Sequence, residues 1–573
     1  MNDILNGLQW SAPYRQGSKV IEVAVPNAAF WALWRSDKQA VKEAGVKVRP
    51  ASGGWECWRE AVIAPGEPTL LFVDAPLDPP MYPVSQVCFV PGFVALELPT
   101  NRPWSAEQRA IFLWFRNGTG NLQVQARAGT GKTTTIKVAF SQAPEAEMLY
   151  AVFGKKNQLE AQASISDSRV TISTLHSAGY RIIRSMWHNA RMDNDVEFDR
   201  ARQVCGRDAV DEILNAVCKL VAFAKNQFVS PSLSDLIDLA DSRDVNAGNL
   251  LDSHQLAIAA LKHLELSKHR DAQGRISFND MVWLPVAMNW VRPAYDMVVI
   301  DEAQDMNLPQ LLMAKGLSRG RVCVVGDDRQ AIFGFRGAAQ DGMGLMRESL
   351  NAAVLPLTVT YRCPKSVVAL AKEIVSDYQA ADAAPEGIIR SVDSDKLVNE
   401  AVAGDAILSR ANAPLMPLCL KLLRKGVAAM IEGREVGKAL NGIVKKLNAK
   451  SVPAFISKVE AWNKKQKARF QNSKHFESKC EEINDQAGCL LAVAEGAANV
   501  AEISERLLSL FQDSEGNKKP TVILSSVHKA KGREWDRVYV IEKTFKKNGA
   551  GEEQNIYYVA ITRAKQELIF VRE

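Results

Sequence analysis

The residues with the clearest chemical capacity begin in the stretch 122–140, LQVQARAGTGKTTTIKVAF. Leu122, Val124 and Ala126 alternate as in a strand, the loop Arg127-Ala128-Gly129-Thr130-Gly131 follows, and Lys132-Thr133-Thr134 open a segment with helical spacing. Strand, glycine loop and helix N-terminus in that order make an anion cradle, because loop N–H groups and the positive end of the helix converge on one point. Lys132 then reaches the β- and γ-phosphates of a nucleotide and the Thr133 hydroxyl can hold Mg²⁺. The usual pattern has glycine where Ala126 stands, so alone the motif is also readable as a glycine turn. A second group lies in YDMVVIDEAQD (295–305), where Asp301 and Glu302 emerge from an apolar strand. One carboxylate there can hold Mg²⁺ while its neighbour activates water. A third, RVCVVGDDRQAIFGFRGA (321–338), sets Gln330 to sense a γ-phosphate and carries Phe333, Phe335 and Arg336, aromatics interleaved with a cation that suit base stacking and phosphate contact. Arg362 stands at the end of another strand in LPLTVTYRC, and Arg563 in the segment EEQNIYYVAITRAK is a further cation whose value depends on facing Lys132 across a cleft.

These groups need a scaffold, and the chain supplies strands alternating with helical segments. MLYAVFG (148–154), RVTIST (169–174), MVVI, VCVV, LPLTVT, AILS, TVILSS, DRVYVIE and ELIFV are short apolar runs separated by polar or helical stretches, the pattern of parallel sheets covered on both faces. The carboxyl ends of such strands are where ligands bind, which draws attention to Phe153, Lys155, Thr174 and His176. His176 is equally readable as a packed loop histidine. Ser105 in WSAEQ can cap the helix that carries Gln108.

The 573 residues imply three to five domains, since a single core stops growing at about 250–300 residues. Residues 1–95 hold five of the twelve tryptophans: Trp10, Trp31, Trp34, Trp55 and Trp58. They read either as a base-stacking or docking surface or as the core of a small α+β domain, and aromatic burial favours the latter. Ala28 to Ala44 reads as an amphipathic helix. Between Lys438 and Lys479 eleven Lys and Arg face only Glu460 and Glu477, either a solvated helix face or a surface for phosphate backbones. Net charge of +6 is compatible with a nucleic-acid partner without establishing one. Nine scattered cysteines with no C-x-x-C pair argue for reduced thiols and against a metal cluster. There is no apolar run long enough to span a membrane, and MNDILNGLQW has no basic stretch leading into an apolar core. The expected location is therefore cytoplasmic, nucleoid-associated or in a host cytoplasm if phage-encoded.

Taken together, the ordered motifs in 100–182, 271–412 and 520–573 resemble the superfamily 1 DNA helicases of the UvrD/Rep/PcrA type, and AVFGKKN, TLHSAGY and HKAKG are similar to the F-box DNA helicase group. The resemblance implies an α/β fold of two RecA-like parallel-sheet cores with helical insertions and a separate N-terminal domain. The expected division is 1–95, a first core of 100–182 and 271–350 with 183–270 inserted, and a second core of 351–437 and 515–573 with 438–514 inserted. It implies that ATP and Mg²⁺ are held by Ala126 through Thr134, with Asp301 as second metal ligand, Gln108 and Tyr361 on the adenine and Glu534 on the ribose. Glu302 becomes the general base, Gln330 the γ-phosphate sensor, and Arg362 and Arg563 arginine fingers. Phe153, Lys155, Thr174, His176, Phe333, Phe335, Arg336 and His528 become the single-strand track. The activity implied is ATP-dependent DNA unwinding or translocation, 3′→5′ by family behaviour, on single strands and their duplex junctions in repair, recombination or replication; residues 1–95 lie outside the resemblance and are the expected surface for a protein partner. Two alternatives stay open: a non-unwinding motor of a nuclease or defence complex, and an ATP-gated DNA-binding scaffold. Ala126, Arg127, Phe335, Arg533 and Trp535 depart from the family's usual wording, and none removes a catalytic group.

Overall fold

The computed structural model describes five short strands before residue 74, and then residues 103–573 except 249, 333–341, 472–475, 513–520, 547–550 and 573. The chain divides into two compact units, Met1–Gly118 with Val138–Pro144 and Thr119–Lys137 with Glu145–Glu573.

In the first unit, Tyr14–Gln16, Lys19–Ala24, Lys47–Ala51, Gly54–Glu60 and Phe72–Val73 form one sheet. Its neighbours are antiparallel except for the last pair, and Trp58 lies in register with Val23 and Lys47. The expected helix Ala28–Ala44 and Trp10, Trp31 and Trp34 lie outside the described residues. The helix Ala106–Asn117 begins as its sequence dictates: the Ser105 hydroxyl accepts from the Gln108 N–H while the Gln108 side chain accepts from the Ser105 N–H.

The second unit is built on two all-parallel sheets. In the first, β1 (Leu122–Ala126), β2 (Met148–Ala151), β3 (Val170–Ser173), β4 (Tyr295–Ile300), β5 (Ser318–Gly326) and β6 (Ala353–Leu357) are ordered β6-β1-β5-β4-β2-β3. In the second, β7 (Ile388–Val392), β8 (Ala406–Ser409), β9 (Ala429–Glu432), β10 (Phe511–Gln512), β11 (Val522–Ser526), β12 (Trp535–Ile541) and β13 (Ala564–Val571) are ordered β7-β13-β12-β8-β11-β9-β10. Continuous burial along β2, β8 and β11 is what apolar runs covered on both faces require.

One strand departs from the expected division. The boundary at 350/351 assigns Ala353–Leu357 to the second core, yet β6 pairs residue for residue with β1 in the first sheet. The strand that leads into the glycine loop thereby gains a neighbour on each side, β5 and β6, and neither of its edges is left open. Tyr361, Arg362 and the helix Lys365–Ala371 come after this strand, and Val367, Val368 and Ala371 pack into the core of the second sheet.

Helices Asp195–Cys205, Asp211–Gln227, Leu233–Ser242 and Ser253–Ser267 lie between β3 and β4, and Arg434–Leu447, Val452–Ala468, Phe476–Ala494 and Val500–Leu510 between β9 and β10. The two groups approach each other at Arg469, whose guanidinium lies 3.5 Å from Glu212. Among the described residues no helix is long and apolar enough to cross a membrane.

Candidate functional site

The glycine loop, the expected phosphate loop, connects β1 to α1 (Lys132–Gln142). Gly129 and Gly131 adopt left-handed φ values of +70° and +78°, a region glycine enters without steric cost. At Gly129 space also demands glycine, because a Cβ would stand 2.5 Å from the Arg362 Cβ and 2.6 Å from the Thr360 hydroxyl oxygen. The loop is held by residues that follow the first sheet in sequence. The Gly129 carbonyl accepts from the Tyr361 N–H at 2.9 Å, the Ala128 carbonyl from the Tyr378 hydroxyl at 2.8 Å, and the Ala128 N–H donates to the Tyr558 hydroxyl at 3.0 Å. Tyr558 lies on α2 (Glu552–Ile561), and Ala128 itself packs in the cluster of the second sheet. The loop thus sits where the two sheets meet.

Beneath it lies a chain of polar contacts. The Lys132 ammonium is 3.3 Å from the Glu302 carboxylate. Glu302 also accepts from the Gln304 amide at 2.5 Å, the Gln304 carbonyl accepts from the Asp327 N–H at 3.0 Å, and Asp327 accepts from the Gln330 amide at 2.7 Å. Asp301 accepts from the Tyr150 hydroxyl at 2.7 Å and from the Glu302 N–H at 2.9 Å. Glu302 is one of the few non-glycine residues with positive φ (+52°), a strained conformation of the kind that clusters at functional sites.

These contacts divide the charges. Burial and the Glu302 charge push the Asp301 carboxyl up. Burial would also raise Glu302, but Lys132 and Lys531 overcome it and hold that carboxyl down at about 2. Desolvation opposes the Lys132 charge, yet Glu302, Asp327 and Asp301 hold its pKa above the ordinary lysine value. One acid is therefore firmly ionised beside a cation, while its neighbour is a buried carboxylate suited to a further positive charge.

Arg362 stands against the loop and pairs with Glu534. The expected finger and the expected ribose ligand thus neutralise each other. Arg563 is only 1% exposed; its guanidinium donates to the carbonyls of Val559 (2.8 Å) and Arg533 (3.2 Å) and to the Thr562 hydroxyl (3.1 Å). Burial and the nearby Arg362 lower its pKa to about 10, which leaves a buried cation that an anion would stabilise. Tyr361 is 52% exposed, as a stacking platform must be. Thr133 and Thr134 are exposed and Thr130 is buried, its hydroxyl on the Arg127 carbonyl at 2.9 Å. Gln108 belongs to the other compact unit, where it is buried in its capping box.

Of the expected single-strand track, Phe153 is exposed just past β2 and Lys155 begins the helix that follows. Thr174 caps the helix Leu175–Met186 by accepting from the Ser177 N–H. His176 stacks on Phe278, with ring centroids 4.2 Å apart and planes 18° from parallel, and burial presses its pKa down to about 4. His528 lies in the turn Val527–Ala530. Phe333, Phe335 and Arg336 lie outside the described residues.

Sequence reasoning overlooked several participants. Lys531, the second lysine of HKAKG, donates to both oxygens of Asp305 (2.8 and 2.6 Å) and to the Gln330 carbonyl (2.7 Å). Asn555 donates to the carbonyls of Asp328 and Ala331. Tyr378, Tyr558, Asp327, Gln304 and Phe278 carried no motif of their own; only position beside a motif could have flagged them.

A glycine-loop strand between parallel neighbours, a strand-end acid pair and arginines from segments next to helices that pack on a second parallel sheet define a P-loop α/β protein with two cores. Residues 104–351 match the UvrD/REP helicase N-terminal domain and residues 237–572 match the UvrD-like helicase C-terminal domain. The chain belongs to the UvrD-like helicase family. It is 25% identical over 288 residues to DNA helicase II of Rickettsia typhi, covering 45% of this chain and 43% of that protein. It is 25% identical over 293 residues to ATP-dependent DNA helicase UvrD1 of Mycobacterium tuberculosis, covering 44% and 37%. With F-box DNA helicase protein 1 of Schizosaccharomyces pombe the identity is 23% over 527 residues, covering 82% and 58%. The chain spans less than half the length of the first two of these relatives.

Proposed function

We propose that this chain is an ATP-dependent DNA helicase or single-strand translocase whose two cores hydrolyse ATP between them and step along DNA. The activity printed in the names of its relatives is brought to this chain on one main observation: the phosphate loop is gripped by residues of the second core, with Arg362 against Gly129. An arginine in that position stabilises charge developing on the γ-phosphoryl only when the cores are together, so turnover is tied to their motion.

In this reading Ala126 through Thr134 cradle the triphosphate, Lys132 neutralises it, and Tyr361 stacks on the base. Glu302, held ionised by Lys132 and Lys531, accepts the proton of the attacking water. Triphosphate would draw Lys132 away from Glu302 and draw Arg362 away from Glu534, which leaves Glu534 available to the ribose. Gln330 senses the γ-phosphate from its place on Asp327. Arg563 supplies the second arginine; its burial without a carboxylate partner among the described residues favours an anionic ligand. Gln108 as adenine reader rests on the family resemblance alone.

The donor set suits Mg²⁺, a hard cation that keeps several waters: one exposed hydroxyl, Thr133, and one buried carboxylate, Asp301, whose raised pKa reflects a need for positive charge. Bound there, the metal would neutralise the β- and γ-phosphate oxygens. Phe153, Lys155, Thr174, His176 and His528 would contact single-stranded DNA, together with Phe333, Phe335 and Arg336 on the resemblance. Movement is 3′→5′ and the setting is repair, recombination or replication in the cytoplasm or nucleoid.

Lys132→Ala is expected to abolish DNA-stimulated ATP hydrolysis, and retained turnover would remove the site assignment. A strand-displacement assay on 3′- and 5′-tailed duplexes tests the rest. Unwinding of the 3′-tailed substrate is expected; translocation without displacement would leave a motor that does not unwind.

A further inference from the structure

Arg127 lends its backbone to the phosphate cradle, but the hydrolysis scheme gives its bulky cationic side chain no task. Its side chain is 2% exposed and is turned into a group of carboxylates. Its Nε lies 3.0 and 2.9 Å from the two oxygens of Asp377, and its Nη1 donates to Asp328 at 2.6 Å and to Asp327 at 3.3 Å. Asp327 and Asp328 leave the end of β5, in the first sheet. Asp377 immediately precedes Tyr378, which packs in the cluster of the second sheet and whose hydroxyl bonds to the Ala128 carbonyl. One guanidinium therefore joins the phosphate loop, the exit of β5 and the second core.

The connection extends to Gln330. Asp327 is fully buried, and its Oδ2 accepts from the Gln330 amide at 2.7 Å. Its Oδ1, the atom facing Arg127, also accepts from the Arg329 N–H at 3.1 Å. Asp328 Oδ1 is shared between Arg127 and the Gln125 amide, at 3.1 Å. Only arginine meets this demand, since a planar fork donates in several directions while an ammonium acts as a point charge. A buried ion cluster of this kind is sensitive to completeness: withdrawal of one partner leaves charge uncompensated in a dry site. If Asp377 moves with the second core, the guanidinium is redistributed towards Asp327 and Asp328, and the carboxylate that holds Gln330 responds.

We infer that Arg127 is a positioning residue that sets Gln330 through Asp327 and, through Asp377, makes that setting depend on the second core. The inference rests on the reading of the site as a DNA-stimulated ATPase and names one route by which DNA reaches the hydrolysis step. Neither Arg127 nor Asp377 touches the reacting atoms, so the signal is a loss of coupling rather than of binding.

The test compares full-length wild-type protein with Asp377→Asn, Arg127→Gln, Arg127→Lys and the double variant Arg127→Gln/Asp377→Asn. Hydrolysis is measured with and without oligo-dT, nucleotide affinity with fluorescent N-methylanthraniloyl ATP, and folding by thermal melting. Asp377→Asn is expected to lower DNA-stimulated kcat about tenfold while DNA-free turnover and nucleotide affinity stay within about threefold of wild type. The double variant should be no worse than Arg127→Gln alone, because the two residues act as one unit. Arg127→Lys should restore only part of the stimulation. Multiplying losses, or wild-type stimulation in Asp377→Asn, would overturn the inference. If Arg127→Gln does not fold, Asp377→Asn decides, since an acid that only supports the fold shifts the melting temperature and leaves the stimulation ratio alone. A wild-type protein without DNA stimulation overturns the ATPase reading itself; wild-type stimulation with an unaffected Asp377→Asn overturns only the role of Arg127.

Discussion

Glu302 shows how a single residue is prepared for its proposed task. Its left-handed backbone turns it out of β4, and Lys132 and Lys531 keep it ionised. The ordinary carboxyl value of 4.5 falls to about 2 in the fold, so its favourable contribution is complete above 4.5 and is lost only as pH falls towards 2. In the nucleotide-free enzyme Glu302 therefore keeps its charge through the whole working range, and an acid limb in kcat/KM must come from another group. Glu302→Gln is expected to reduce DNA-stimulated kcat by about 10²–10⁴ with nucleotide affinity nearly kept. Single-turnover hydrolysis beside analogue binding measures both, and equal loss of the two would remove the base assignment. Lys132, Asp301 and Glu302 were legible in the sequence because the lysine closes a glycine loop after an apolar run and the two acids leave such a run directly. Arg127 and Lys531 were not, because their partners stand 250 and 226 residues away at Asp377 and Asp305. Without the fold, the one is an odd loop residue and the other a second lysine in a basic turn.

At the scale of elements, short apolar runs announced the strands, but their order was hidden. Parallel neighbours need not be consecutive, and nothing within LPLTVT says that β6 returns to lie beside β1 in the first sheet. The same limit hid the ion core of the first insertion. The Lys225 ammonium lies 2.7 Å from both Glu197 and Asp280, and Arg200 lies 2.8 Å from Asp280, with Lys225 and Asp280 fully enclosed. Lys225→Met leaves Asp280 with one cation fewer and should destabilise the insertion by roughly 3–5 kcal/mol, visible as earlier unfolding in calorimetry and new cleavage within 183–270 under limited proteolysis. His263 packs in the same core, its Nε2 2.9 Å from the Glu197 carbonyl. Burial lowers its pKa from 6.5 to about 4, so the unfolded chain binds a proton between these values while the folded one does not. Stability from this group falls as pH drops from 6.5 towards 4, and His176, lowered to about 4 by burial, acts in the same direction. The unfolding temperature should decline in that window, and His263→Gln, which still donates but does not titrate, should flatten the decline. An unchanged slope in His263→Gln would assign the decline elsewhere.

For the molecule as a whole, the decisive relation is between the two sheets, and a few polar ties define it. Lys531 is the most committed of them: it leaves the loop between β11 and β12, reaches Asp305 beyond β4, and also caps the Gln330 carbonyl. Both partners are almost enclosed, with side-chain exposures of 9% for Lys531 and 4% for Asp305. Such a pair gives little net stability, but losing one member is costly, because the other charge stays buried. Lys531→Ala should therefore bias the cores apart rather than unfold either of them. A nucleotide that binds only the joined cores then loses affinity in proportion to the fraction of molecules that remain joined. The expected result is at least about a tenfold rise in the apparent ATP KM together with a fall in DNA-stimulated kcat. The pH dependence carries a sign of its own. Burial already raises the Asp305 carboxyl despite Lys531, and removing Lys531 raises it further. On acidification that acid takes up a proton, and a neutral Asp305 no longer opposes closure. Lys531→Ala should consequently recover affinity as pH falls towards mildly acidic values, whereas wild type should not gain. A variant whose defect is the same across that range would show that Lys531 acts through something other than the charge of Asp305.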